Sequence, residues 1–345
     1  MNKYIVAWLA SACVLIISMV IIGGITRLTQ SGLSMVKWEP VTGIIPPLTE
    51  EKWEAEFQLY QNYPEFRKIN PSMNLNEFKS IYFWEYLHRL IGRGIGIFFI
   101  IPFIIFYVKK RISPWLMKRL RIMFLIGIIQ GFMGWFMVTS GLVDNPHVSH
   151  YRLAIHFLLA VGLVGYIYWV ILDFTDTAGH NPDMILKKWV RLSVVFTGLI
   201  VLQMFWGAMM AGLKAGYAWN TFPAMNGQWL PEGLFEKSPW WINFFQTNMT
   251  VQFIHRSTGM LLAAAAIGLW LMSLRELHGI QKRDVFYIFT LTLIQVIAGI
   301  FTLILFIPVW LAVLHQLLAV ILFLTSLRMI RNFHIMSGSR VSKPH

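Results

Sequence analysis

The sequence predicts an all-α polytopic membrane protein, with eight transmembrane helices in two repeated four-helix bundles and both termini cytoplasmic. Three observations predict it. Eight long runs are nearly free of charge, basic residues crowd one set of loops, and motifs of the first half recur in the second.

The runs cover about 4–25, 83–108, 120–140, 153–172, 191–213, 250–274, 285–306 and 309–330. Each reaches the roughly 18 apolar residues that mark a membrane span, and a helix satisfies its own backbone where no water can. With 57% of 345 residues hydrophobic, the chain carries more apolar surface than a soluble core of this length would bury. The net charge of +13 raises a nucleic-acid reading, which its distribution removes. With the N-terminus inside, segments 1–3, 109–121, 173–191, 275–284 and 328–345 hold 17 of 29 Lys and Arg but only 5 of 16 acids. That is the positive-inside bias, so charge orients the chain and no nucleic-acid partner is needed. Cys13, the only cysteine, lies in the first run; one chain therefore builds no disulfide, Fe–S cluster or cysteine zinc site. No Arg-rich presequence precedes that run, and the expected location is a bacterial cytoplasmic (inner) membrane.

The first bundle takes residues 1–173, a cytoplasmic linker 174–190, the second bundle 191–330, and a basic cytoplasmic tail 331–345. Inner connections are short, but the outer segments at about 26–82 and 214–249 are long and rich in Trp, Pro and Gly. They read either as an interfacial aromatic belt or as a cap over a site.

Three motif pairs carry the repeat. "EYLHRLIG" (85–92) matches "VQFIHRSTG" (251–259), pairing His88 with His255; "LIGIIQGFMG" echoes "LTLIQVIAG" around Gln130 and Gln295; "YRLAIHFLLA" matches "LAVLHQLLA", pairing His156 with His315. The offsets of 167, 165 and 159 residues indicate duplication, with both units starting in the same direction.

Counted from the inner boundary at about 1.5 Å per residue, all four histidines lie roughly 24–32 Å up, near the outer face of a core about 30 Å thick. In an antiparallel four-helix bundle, helices of like direction sit on a diagonal. His88 therefore faces His156, and His255 faces His315, each pair offering one imidazole to either side of a haem iron. Zinc and copper fit less well, since neither pair has a nearby cysteine or a repeated carboxylate. His147 and His150 read as residues of the outer turn; His180, His278, His334 and His345 fall on the cytoplasmic side. The halves differ at one position. Glu85 precedes His88 by three, whereas Gln252 holds that place before His255. An ionisable group in a membrane is a functional candidate, and the asymmetry suggests that one haem transfers electrons while the other is acted upon. Solvation of Glu85, or pairing with Arg89, is the competing account. Arg89 and Arg256 each follow a histidine, suiting haem propionates or interfacial anchoring equally.

These residues resemble the haem A synthase family across nearly the whole chain, in "GGITRLTQSGLSMVKWEPVTGIIPP", "EYLHR", "HYRLAIHFLLA", "IHRSTG" and "LHQLLA". The resemblance implies an oxidoreductase that converts the C8 methyl of haem O to a formyl group by successive hydroxylation, giving haem A for terminal (cytochrome c or quinol) oxidases. It implies haem B as cofactor with His255 and His315 as axial ligands, His88 and His156 as ligands of the substrate haem O, and Glu85 as the catalytic residue. Haem O synthase and an electron-transfer protein are the implied partners, with homo-oligomerisation open. Some members carry a cysteine pair in the first outer segment; residues 26–82 contain none, which places this chain with the cysteine-free, Gram-negative and mitochondrial type. A bis-His dihaem electron-transfer cytochrome and a haem transporter or chaperone are the alternatives. A prenyltransferase would need Asp-rich motifs, and Asp173 with Asp176 is too little.

Overall fold

The computed structural model of the chain describes residues 3–37, 42–143, 146–175 and 184–336. In order, its α-helices are α1 (Lys3–Leu28), α2 (Glu50–Gln61), α3 (Pro64–Lys68), α4 (Leu75–Val108), α5 (Pro114–Thr139), α6 (His150–Thr175), α7 (Met184–Gly212), α8 (Asn243–Gln246), α9 (Asn248–Glu276), α10 (Gly279–Ile304) and α11 (Val309–Met336). All but α2, α3 and α8 are long and apolar enough to cross a membrane, so the protein is an all-helical, multi-pass membrane protein. Asp176, His180 and His345, with much of the expected linker and tail, lie outside the described residues.

Several helices start earlier than their apolar runs. In α4 the Asn74 side chain accepts from the backbone N–H groups of Asn76 and Glu77, while the Glu77 carboxylate accepts from Asn74 N. This capping box starts the helix at Leu75, eight residues before the run at 83. Ser113 caps α5 more simply, its hydroxyl accepting from Leu116 N, ahead of Pro114. Hydropathy marks only the part of a helix in hydrocarbon, whereas caps mark where the backbone begins to coil.

The outer segment after α1 folds on itself. Met35, Val36, Tyr60, Phe78 and Tyr82 are buried together, with Trp53, Phe57 and Phe66 packed around them. The Phe78 ring lies 5.1 Å from Tyr60 and 5.2 Å from Phe57 between centroids. The Tyr60 hydroxyl donates to Glu65 at 3.2 Å and accepts from Asn70 at 3.0 Å. Burial, then the Glu65 charge, pushes the Tyr60 phenol up, so it stays protonated as a donor. The second outer segment is held at Asn243, whose side chain accepts from Lys237 N and donates to the Lys237 and Trp240 carbonyls. Its Trp229, Trp240 and Trp241 remain exposed, as an interfacial belt requires.

Close contacts divide the chain into two compact units, Met1–Ala10 with Val164–His345, and Ser11–Leu163. In the former, α7, α9, α10 and α11 close a ring with α9 and α11 on one diagonal. Its charges are paired where buried, as they must be: Arg331 meets Asp173 at 2.9 Å, and Asp284 accepts from Asn332 and lies 3.4 Å from Arg328.

Phe78→Ala should remove the centre of the aromatic cluster at a cost of about 3–5 kcal/mol. Hydrogen exchange over residues 50–82 should then rise sharply, while α9–α11 stay protected. Unchanged exchange there would mean that other contacts hold the segment.

Candidate functional site

Histidine is costly to bury in hydrocarbon unless its ring nitrogens have partners. Of the four sequence-predicted histidines, His315 and His156 have polar neighbours for a ring nitrogen on adjoining helices, while the Nδ1 atoms of His156 and His255 are buried without one. His255 on α9 and His315 on α11 bring their rings to 6.5 Å between centroids, at 83° between planes. His315 Nδ1 lies 3.1 Å from the Gln295 carbonyl. A carbonyl only accepts, so Nδ1 carries the proton and Nε2 is the nitrogen left with a lone pair. The Gln295 amide approaches that Nε2 at 3.4 Å. On the other side, Gln203 Nε2 donates to the His255 carbonyl at 2.8 Å, and its Oε1 accepts from the Thr258 hydroxyl. His255 Nδ1 is buried without a partner.

His88 lies on α4 and His156 on α6. Gln130 Nε2 donates to the His156 carbonyl at 3.1 Å and lies 3.3 Å from His156 Nε2. Each of the four rings also lies against a glycine of an adjoining helix. A Cβ added at Gly23 would stand 3.1 Å from His88 Nε2; at Gly134, 3.2 Å from His156 Cε1; at Gly207, 3.1 Å from His255 Cε1; and at Gly299, 2.8 Å from His315 Cε1.

Glu85 is 3% exposed and accepts three hydrogen bonds. Its Oε2 accepts from Ser34 Oγ and Met35 N, both at 2.7 Å, and its Oε1 from Arg89 at 2.5 Å. Arg89 also donates to the Met35 and Lys37 carbonyls, at 2.8 and 3.0 Å. Gln252 occupies the matching place with opposite polarity: its amide nitrogen donates to the Ala218 carbonyl at 3.1 Å. Arg256 donates to the Thr221 carbonyl at 2.7 Å and to the Trp219 carbonyl. Both arginines thus clamp outer-segment backbone.

An imidazole–iron–imidazole sandwich with bonds of about 2 Å separates ring centroids by roughly 6 Å. The 6.5 Å of His255 and His315 fits. Among the described residues no three or more His, Cys, Asp or Glu converge on a metal site; the donor sets are imidazole pairs. His150 lies against the Tyr151 ring. His278 precedes α10 as its N-cap, and His334 ends α11.

Sequence reasoning missed Ser34 and the four glycines. Gly134 and Gly299 end the very segments whose glutamines mark the repeat, so their signal was the shared spacing Q-x-x-x-G. Ser34 had none, because it meets Glu85 only through the fold.

Residues 6–327 match the COX15-CtaA family model, described as cytochrome oxidase assembly protein. The chain is 42% identical over 328 residues to a protein of Nitrosospira multiformis named heme A synthase, covering 94% of this chain and 92% of that one. It is 40% identical over 323 residues to one so named from Parvibaculum lavamentivorans, at 93% and 92% coverage. For the protein of that name from the Wolbachia of Culex pipiens, identity is 42% over 337 residues, at 96% and 98% coverage.

Exchanging the two matched side chains should harm both. Gln252→Glu sets a carboxylate against carbonyls, and Glu85→Gln offers an amide where N–H groups point inward. Each leaves a buried group mispaired at about 1–3 kcal/mol, so both variants should melt several degrees below the parent in detergent. Parent-like melting in both would show that the polarity of this clamp is unused.

Proposed function

The chain belongs to the haem A synthase family of cytochrome oxidase assembly proteins, and from that premise we propose that it oxidises the C8 methyl of haem O to a formyl group, yielding haem A for terminal oxidases. The observation that carries the site assignment is the perpendicular His255–His315 pair at ligand-pair spacing. We assign these two as axial ligands of a resident haem B, and His88 with His156 as ligands of haem O. His315 supports the assignment further, because its protonated Nδ1 is tied to a backbone carbonyl. Such outer partners orient a ligand and raise its basicity.

When bound, the resident haem supplies a one-electron redox centre; a methyl group with no acidic proton cannot be oxidised by acid–base chemistry alone. The residues of the chain do the rest. His88 and His156 hold the substrate iron, and Gln130 steadies the backbone of His156. Glu85 lies one turn before His88 on the same face, with Cβ atoms about 5–6 Å apart. Ser34, Met35 and Arg89 occupy its acceptor positions. We therefore assign it as a fixed negative charge beside the substrate, stabilising positive charge at the oxidised carbon. Arg89 and Arg256 spend Nη donors on loop carbonyls, and we assign them to the clamp first.

The charge distribution supports a cytoplasmic membrane, taken here as bacterial, with both termini inside; the three motif pairs support a duplicated four-helix plan; and the substrate assigned here calls for supply by a haem O synthase. An electron-transfer protein and further copies of this chain remain candidate partners.

Purified protein should carry haem B with a low-spin bis-imidazole spectrum, lost in His255→Ala and in His315→Ala. His88→Ala and His156→Ala should keep that spectrum yet restore almost no haem A to cells lacking the gene. Loss of haem B from the latter pair at normal protein levels would exchange the two sites. Glu85→Gln should retain resident haem and accumulate haem O or its hydroxylated form. Near-normal haem A from it would reduce Glu85 to a clamp.

A further inference from the structure

Each imidazole leans on a glycine, and the residue four positions before that glycine faces the same way. The spacing reads Gln130–Gly134, Gln203–Gly207 and Gln295–Gly299 in three cases, and Met19–Gly23 in the fourth. Residues four apart share a helix face. Gln130 and Gln203 use that face to hold the carbonyl of the very histidine their glycine seats; in the third case the Gln295 backbone carbonyl receives His315 Nδ1. At the fourth seat, Met19 brings a methyl instead: its Cε would lie 3.5 Å from a Cβ at Gly92, where Gln203 Nε2 lies 3.1 Å from one at Gly259. Gly92 and Gly259 each follow their histidine by four, so Met19 and Gln203 fill the same place beside His88 and His255.

We propose that Gly23, Gly134, Gly207 and Gly299 are positioning residues that set where each imidazole stands, and that Met19 in place of a glutamine leaves His88 the unbraced ligand. This rests on the haem assignment above. Carbon atoms settle about 3.5–4.0 Å apart. The added Cβ distances of 2.8–3.2 Å therefore force either the ring or the helix to move. The neighbours differ in how they would respond. The His255 backbone is held by Gln203, the His156 backbone by Gln130 and His315 Nδ1 by a carbonyl, so those rings have less freedom to yield than His88. Exchange of substrate and product needs one ligand that lets go; Glu85 and Arg89 tie this part of α4 to the loop, but the thioether beside His88 offers it no hydrogen bond of the kind Gln203 gives His255.

The test uses purified full-length protein. Gly207→Ala and Gly299→Ala should weaken retention of haem B by about tenfold or more. They should also shift the large-g low-spin EPR signal that perpendicular imidazole planes give, at unchanged yield and monodispersity. Gly198→Ala and Gly268→Ala add the same methyl where nothing lies within 4 Å, and both readouts should stay at parent values. In the other unit, Gly134→Ala should depress binding of added iron protoporphyrin at the second site without moving the resident signal, while Gly131→Ala, also in open space, should not. Met19→Gln should slow release of porphyrin from that second site, and Gln203→Met should speed loss of the resident one. If Gly299→Ala fails to fold, Gly207→Ala decides the first arm. Parent-like g values, midpoint potential and haem retention in the seat variants would overturn the proposal. Equal release rates in Met19→Gln and parent would overturn its second half. A parent protein with no bis-imidazole signal would overturn the haem assignment itself, and the seats with it.

Discussion

Hydrocarbon offers a polar side chain no water, and that constraint organises everything chemical in this molecule. An imidazole, amide or carboxylate among these helices must find its partner on another helix or on loop backbone. Each of the four histidines stands beside a glycine of an adjoining helix; His315 also gives its Nδ1 proton to a carbonyl, while the Nδ1 atoms of His156 and His255 are buried without a partner. Glu85 shows the rule at full strength: a carboxylate at the start of an apolar run is matched by a hydroxyl, a backbone N–H and a guanidinium. The outer segments exist in part to bring that backbone to the helices, and their own aromatic packing fixes where it arrives.

The same constraint explains what could be read from the sequence. Eight spans were legible because lipid demands long uncharged runs, and helix α4 shows the limit of that signal. Its first eight residues are polar enough to look like loop, yet Asn74 and Glu77 start the helix there. The histidine pairs were legible because depth along a helix is a matter of counting, and because the motifs recur at nearly constant offset. The diagonal placement of His255 and His315 followed from chain direction alone, and the ring of α7, α9, α10 and α11 has them so.

What stayed hidden depends on contacts between residues far apart in sequence. Ser34 and Met35 meet Glu85 across 51 and 50 residues, and nothing local marks them. The arginines after His88 and His255 suited two roles equally until the loop carbonyls they bind were in view. The glycine seats lay in plain sight inside aligned motifs, but a glycine in an apolar helix has many uses, and only the ring beside it selects one.

The reversed polarity at Glu85 and Gln252 has a consequence for how the two halves can change. Near Glu85 the loop backbone presents an N–H; near Gln252 it presents a carbonyl. A single codon change in either direction brings a donor to a donor or an acceptor to an acceptor. The loop therefore acts as a lock on the identity of each half: no chimera made by transplanting one histidine helix into the other's position is satisfied unless its own outer segment travels with it. The difference between the two positions is in this sense held by the direction of the backbone each one faces.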